Sequence, residues 1–184
     1  RVYTFWDLGG AGDESDPTAV VFAQRDEKKW RLIDYYEAKG CMFEEHARVL
    51  AMKPYAYAGH YGPHDVSKKQ SYGDLITYAK KWGVEFKRVI KTNSVIDDIE
   101  VMRSNWKRLE INAETCDLLL GHIENYKEGA GGKPVKNGSQ HGVDALRTLF
   151  MADKLGIIID YIGIKNEYEY EDDDYEEHYL IDRY

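Results

Sequence analysis

The sequence predicts a mixed α/β sheet with helices on both faces. Three observations carry that expectation: three strand-like segments joined by short turns open the chain, amphipathic helices alternate with short strands after them, and a closing helix has apolar residues at spacings of three and four. The 184 residues suffice for one domain with a full core and are too few for two comfortable ones.

The first strand runs from Val2 to Asp7, an apolar stretch that stops on a carboxylate, with Leu8, Gly9 and Gly10 after it. An ionised aspartate taken out of water costs several kcal/mol unless it is paired. An acid delivered to the end of a hydrophobic strand therefore points to an active-site opening where a cation waits, although an Asp there also begins turns. Ala11 to Pro17 reads as a loop, Thr18 to Gln24 as a second strand, Arg25 to Lys28 as a polar turn and Trp30 to Tyr36 as a third strand, which together make an antiparallel meander. Phe43, Ala47 and Leu50 predict a helix over Glu44 to Met52, ended by Lys53-Pro54. Tyr55 to Tyr61 reads as a strand broken by Gly62-Pro63, and His64-Asp65 then supplies a second acid at a strand end.

Tyr72 to Trp82 reads as an amphipathic helix and Phe86 to Lys91 as a short strand. Val95 to Leu109 reads as a helix with Ile96, Ile99, Trp106 and Leu109 on one face, capped by Ser94 with Asp97 after it. Ala113 to Tyr126 is helical by its leucines, and Lys127 to Gly138 is a glycine-rich insertion carrying Lys127, Lys133 and Lys136. The closing helix, Ser139 to Leu155, buries Val143, Leu146, Leu149 and Phe150, and Asp144 stands beside that face where it can point past the sheet edge. This order of elements fits the ribonuclease-H-like architecture, an α/β mixed sheet flanked by helices.

Composition bounds the rest. Cys41 and Cys116 lie in unrelated contexts without metal-ligand spacing, so neither a disulfide framework nor a zinc site is indicated and a reducing setting is expected. No apolar run approaches the roughly 18 residues of a membrane span, and nothing resembles a signal peptide, which points to a soluble, intracellular protein. The start at Arg1, without an initiator Met, suggests a domain cut from a longer polypeptide. The net charge of -8 is unevenly spread: residues 165–184 hold nine acids and two bases, so the body before them is nearly neutral. The expected organisation is one domain over 1–164 and an acidic, Tyr-rich, poorly ordered tail over 165–184, which could dock a partner or disfavour the approach of DNA.

Three aspartates from distant segments form an oxygen-only set that suits hard cations such as Mg2+ or Mn2+, and two such ions can clamp the attacking water and leaving oxygen of a phosphodiester. The motifs Trp6-Asp7-Leu8-Gly9 with Asp16-Pro17-Thr18-Ala19, Gly62-Pro63-His64-Asp65, and Gln140-His141-Gly142-Val143-Asp144-Ala145-Leu146-Arg147 resemble the nuclease domain of the large terminase subunit of tailed bacteriophages. The resemblance runs from Val2 to about Leu155, with the motifs in the family's order. It implies a metal-dependent endodeoxyribonuclease that cuts concatemeric viral DNA during genome packaging, with Asp7, Asp65 and Asp144 as catalytic residues binding two divalent cations. It also implies an ATPase half elsewhere in the polypeptide, a small terminase subunit and a portal as partners, and a place in the host cytoplasm and transiently on the procapsid.

The chain departs from the family's pattern in a longer loop between Gly9 and Asp16, which leaves Asp16 either an accessory ligand or a turn residue. No GxxxxGK[ST] occurs, so the motor lies outside this sequence. Lys68, Lys69, Lys133, Lys136 and His141 are candidate contacts to DNA, set against the ordinary reading of solvated lysines and a structural histidine. His60 and His64 read as ordinary polar residues. A resolvase-like nuclease is one alternative; a sugar-kinase or actin-like fragment is another, because Asp7-Leu8-Gly9-Gly10 also resembles a phosphate loop. A metal-free module with three turn-capping aspartates is the third.

Overall fold

Alternation along the first strand sets the layout of the molecule. In β1 (Val2–Asp7), Tyr3, Phe5 and Asp7 share one face and Val2, Thr4 and Trp6 the other, the two-residue period of a strand covered on both sides. The computed structural model describes residues 1–10, 12, 14–63, 81, 83–84, 86–90 and 94–158. β1 pairs antiparallel with β2 (Thr18–Asp26), and β2 pairs antiparallel with β3 (Lys29–Ala38). The expected meander is present.

After α1 (Phe43–Met52), the chain returns as β4 (Tyr57–Pro63), parallel to β1, and β5 (Phe86–Val89) lies parallel to β4. The sheet order is β5-β4-β1-β2-β3-β6, which puts β1 near the centre. Next come α2 (Val95–Asn105) with a 3-10 turn over Trp106–Arg108, β6 (Leu109–Ile111), α3 (Asp117–Asn125) and α4 (Gln140–Lys154). The fold is an α/β mixed sheet of six strands among the described residues.

One face carries Tyr3, Phe5, Val21, Trp30 and Leu32 against Leu119 of α3 and Leu146, Leu149 and Phe150 of α4. Trp6, Val20 and Phe22 on the other face pack on Phe43, Ala47 and Leu50 of α1. Fully burying each of these large side chains is worth roughly 1.5–3 kcal/mol, so the sheet is held from both sides. Val143, Leu146, Leu149 and Phe150 are buried as their spacing requires.

Several strands start or end one or two residues away from the sequence reading, and three boundaries differ in a way that changes the layout. β4 continues through Gly62-Pro63, because both residues pair with Arg88 and Val89 of β5; Pro63 ends the strand, where a missing N–H is tolerated. The helix expected to reach Leu109 stops at Asn105, since Leu109 to Ile111 pair with Trp30 to Leu32 at the sheet edge. Ile96 and Trp106 are consequently exposed, and the buried face of α2 is Asp98, Ile99 and Met102. The helix expected from Ala113 starts at Asp117, because the Asn112 side chain first accepts the amides of Glu114 and Thr115 in a turn. Ser94 caps α2 as expected, accepting the Asp97 amide at 3.2 Å. The helix read over Tyr72 to Trp82, apart from Lys81, and the acidic tail lie outside the described residues, and no described helix is long and apolar enough to cross a membrane.

Candidate active site

Asp7 ends β1 on the face covered by α4, its side chain 18% exposed. Its Oδ2 lies 3.2 Å from Nδ1 of His141 in the first turn of α4. The protonation of that ring follows from its neighbours. Gln140 Oε1 accepts the amides of Asn137 (3.2 Å) and Gly138 (2.8 Å), so its NH2 group is the one directed to His141 Nε2 at 3.1 Å. Nε2 is then the acceptor, and Nδ1 carries the proton that it donates to Asp7. The hydrogen bond to Asp7 raises the His141 pKa against the opposing effect of burial, and the charges of Asp7, Asp16 and Glu37 add to it.

The loop after β1 folds back over this pair. Gly10 donates its amide to the Asp16 carbonyl at 3.0 Å and Gly9 donates to Thr18 Oγ1 at 3.1 Å. A Cβ on Gly9 would sit 1.9 Å from the Asp16 carbonyl oxygen, so only glycine allows the two segments to approach this closely. The result sets Asp16 Oδ1 3.7 Å from His141 Nε2, on a side chain 77% exposed.

Asp144 lies one turn beyond His141 on α4. Thr148, one turn further, places its hydroxyl 3.2 Å from the Trp6 carbonyl and 3.0 Å from that of Asp144. Residues 141, 144 and 148 share a helix face, so Asp144 lies between two points at which α4 is tied to the end of β1. Its Oδ1 is 2.8 Å from Nη1 of Arg147. The Asp144 turn of α4 thus lies at the end of β1 that carries Asp7, and both acids offer oxygen donors only, the chemistry a hard divalent cation takes. Among the described residues no three His, Cys, Asp or Glu side chains converge on one point.

The sequence reading missed an acidic residue on the same floor. Glu37 of β3 pairs with Ala19, which pairs with Asp7, so the two acids flank one methyl group on the α4 face. Glu37 Oε2 accepts the Tyr35 hydroxyl and lies 3.5 Å from His122 Nδ1 of α3. Burial and that bond push the Tyr35 pKa far up, so it serves as a neutral donor. Gly142 allows the contact: a Cβ there would lie 2.8 Å from His122 Nδ1 and 2.9 Å from both Leu119 Cδ1 and the Tyr35 hydroxyl. Alternation of Tyr35 with Glu37 was the available signal, but their relation to Asp7 exists only across β2.

Asp65, His64, Lys68 and Lys69 lie outside the described residues. Lys133 and Lys136 are exposed on the segment between α3 and α4, where Glu128 bridges to Pro134. His60 is an interior residue, 2.7 Å from Thr4 Oγ1.

An α/β sheet in this order, with acids at the end of its central strand and on its closing helix, defines a ribonuclease-H-like fold. Solved structures that share it include large terminases and their nuclease domains. The nuclease domain of the g2p large terminase of bacteriophage SPP1, with bound Mn, matches over 84% of this chain and 86% of its own, at 16% identity and a TM-score of 0.59. The P22 large terminase nuclease domain matches over 85% and 81%, at 19% identity and a TM-score of 0.62. A large terminase from a thermophilic bacteriophage, in complex with ADP, matches over 84% of this chain and 40% of its own, at 19% identity and a TM-score of 0.64. The chain therefore spans about two fifths of the length of that ADP-bound terminase. No family model and no curated protein matches the sequence.

Proposed function

We propose that this chain is the nuclease part of a terminase-like DNA-packaging protein, cutting concatemeric viral DNA by metal-assisted phosphodiester hydrolysis. The observation that carries the reading is the tie between Asp7 and the helix of Asp144, through His141 on one side and Thr148 on the other. Support comes also from the shared fold, which occurs in the SPP1 nuclease with bound Mn and in the G20c phage nuclease with bound magnesium or cobalt.

Asp7 and Asp144, with Asp65 from the second motif and Asp16 as an accessory, would hold two Mg2+ or Mn2+ ions. Such ions supply an activated water and charge stabilisation for the leaving oxygen. The chain's own part is positional. His141 fixes the rotamer of Asp7, and burial of α4 fixes the height of Asp144. Lys133 and Lys136 suit phosphate contacts, which carry no base information, so cutting with little sequence preference is expected. The ATPase half, the small terminase subunit and the portal are the proposed partners, and the host cytoplasm and procapsid the proposed sites of action. Residues 165–184 are proposed as a tail outside the nuclease domain.

The test is nicking of supercoiled plasmid in Mn2+ by wild type, Asp7→Asn and Asp144→Asn, with a chelator control. Loss of most activity in both variants, with their folds intact, is the expected result. Cutting by either at the wild-type rate would remove that residue from the site, and cutting in chelator would end the metal reading.

A further inference from the structure

Arg147 is a guanidinium in the protein interior, only 7% exposed, with an acid on either side. Its Nη1 lies 2.8 Å from Asp144 Oδ1, and its Nε lies 3.7 Å from Oδ2 of Asp98, an α2 residue only 1% exposed. Neither Arg147 Nε nor Asp144 Oδ1 makes a hydrogen bond, so both contacts are of charge rather than an aligned fork.

A buried guanidinium needs a counter-charge. If Asp144 were its only one, a cation arriving at Asp144 would have to break that pair and strand Arg147. With a second acid beside it, Arg147 keeps a partner when Asp144 turns to another ion. We propose that the buried Asp98–Arg147 pair is a positioning device for Asp144: Arg147 aims the carboxylate, and Asp98 supplies the counter-charge that lets Arg147 release it to a divalent cation. The inference rests on the nuclease reading and adds two residues that do not touch the ion.

The test is calorimetric titration of Mn2+ into the full chain. Wild type should bind saturably and Asp144→Asn should bind far more weakly. Asp98→Asn should lose about 10–100-fold in affinity, the range for residues that support a metal ligand, because Arg147 then holds Asp144 alone. Asp98→Asn combined with Arg147→Met should recover part of that loss, since the competing cation is gone; a pair that only joined α2 to α4 would give no recovery. Affinity unchanged in Asp98→Asn, or lower in the double variant than in the single one, overturns the proposal while leaving the nuclease reading in place. No saturable binding by wild type overturns both. Should Asp98→Asn fail to fold, the Nε–Hε resonance of Arg147, assigned by its loss in Arg147→Lys, decides the matter: it should shift on adding Mg2+ to wild type and not to Asp144→Asn. A resonance indifferent to Mg2+ in wild type overturns the proposal.

Discussion

Thr4→Val would measure what holds the strand that delivers Asp7. The Thr4 hydroxyl accepts the Trp6 Nε1–H at 2.8 Å and lies 2.7 Å from His60 Nδ1. His60 donates its ring proton to the Gly83 backbone, so its Nδ1 accepts the proton of the Thr4 hydroxyl. Burial holds the His60 pKa down at about 4, so the ring is neutral at pH 7 and able to accept. Valine has the same shape, so no cavity opens and only the two hydrogen bonds are lost. The Trp6 N–H and His60 Nδ1 are then left unpaired in the interior at about 1–3 kcal/mol each. A loss of about 3 kcal/mol is expected, a large part of the 5–15 kcal/mol typical of a domain, and a fall in Tm of about 6–12 °C. Urea unfolding followed by tryptophan fluorescence at pH 7.5 reads it. Thr4→Ser keeps the hydroxyl and should cost about 1 kcal/mol for the missing methyl. A valine variant within about 0.5 kcal/mol of wild type, or a serine variant less stable than the valine one, would refute the reasoning.

Stability should also fall between pH 6.5 and 4. Burial lowers the pKa of both His46 and His60 to about 4, so below 6.5 the unfolded chain takes up protons that the folded one refuses, at a cost of up to about 3 kcal/mol for each ring. His141, with a raised pKa, acts in the opposite direction and gains stability as it protonates; urea midpoints across this range should still decline, and a flat profile would count against buried neutral rings. Gly9→Ala should drive the Asp16 carbonyl away and abolish nicking while costing only about 1–3 kcal/mol of global stability; full activity would show that the loop placement is dispensable. Gly142→Ala should destabilise by about 1–3 kcal/mol despite alanine's higher helix propensity, because its methyl meets α3 and β3 at once. A more stable variant in urea would contradict that packing.

The sequence made the meander and the closing helix legible because nearly every inward position there is apolar at the period of its element. Asp7 stood out as an acid at a strand's end and Asp144 as an acid beside the buried face of a helix. What escaped depends on residues far apart in sequence. Leu109 leaves the helix for β6 only because Trp30 to Leu32 offer an open strand edge. Glu37 looked like the polar end of a strand, and Asp98 like a first-turn acid suited to a helix dipole. Neither role is written locally: Glu37 meets Asp7 across Ala19, and Asp98 is drawn inward by Arg147.

The two chain segments that place Asp144 and Asp16 near the end of β1 differ in how freely they can be exchanged. Eleven of the fifteen residues of α4 are buried, so a change in the height or roll of Asp144 would have to move the cores of α2, α3 and the sheet together. Asp16 rides on a surface loop whose neighbour Ser15 is only half buried and whose ends are fixed by Gly9 and Thr18. Insertions or new side chains between Gly10 and Asp16 can therefore vary with little cost to folding. Divergent relatives of this chain, and engineers grafting onto it, have that loop as the place to alter the mouth of the site while the helix behind it stays constant.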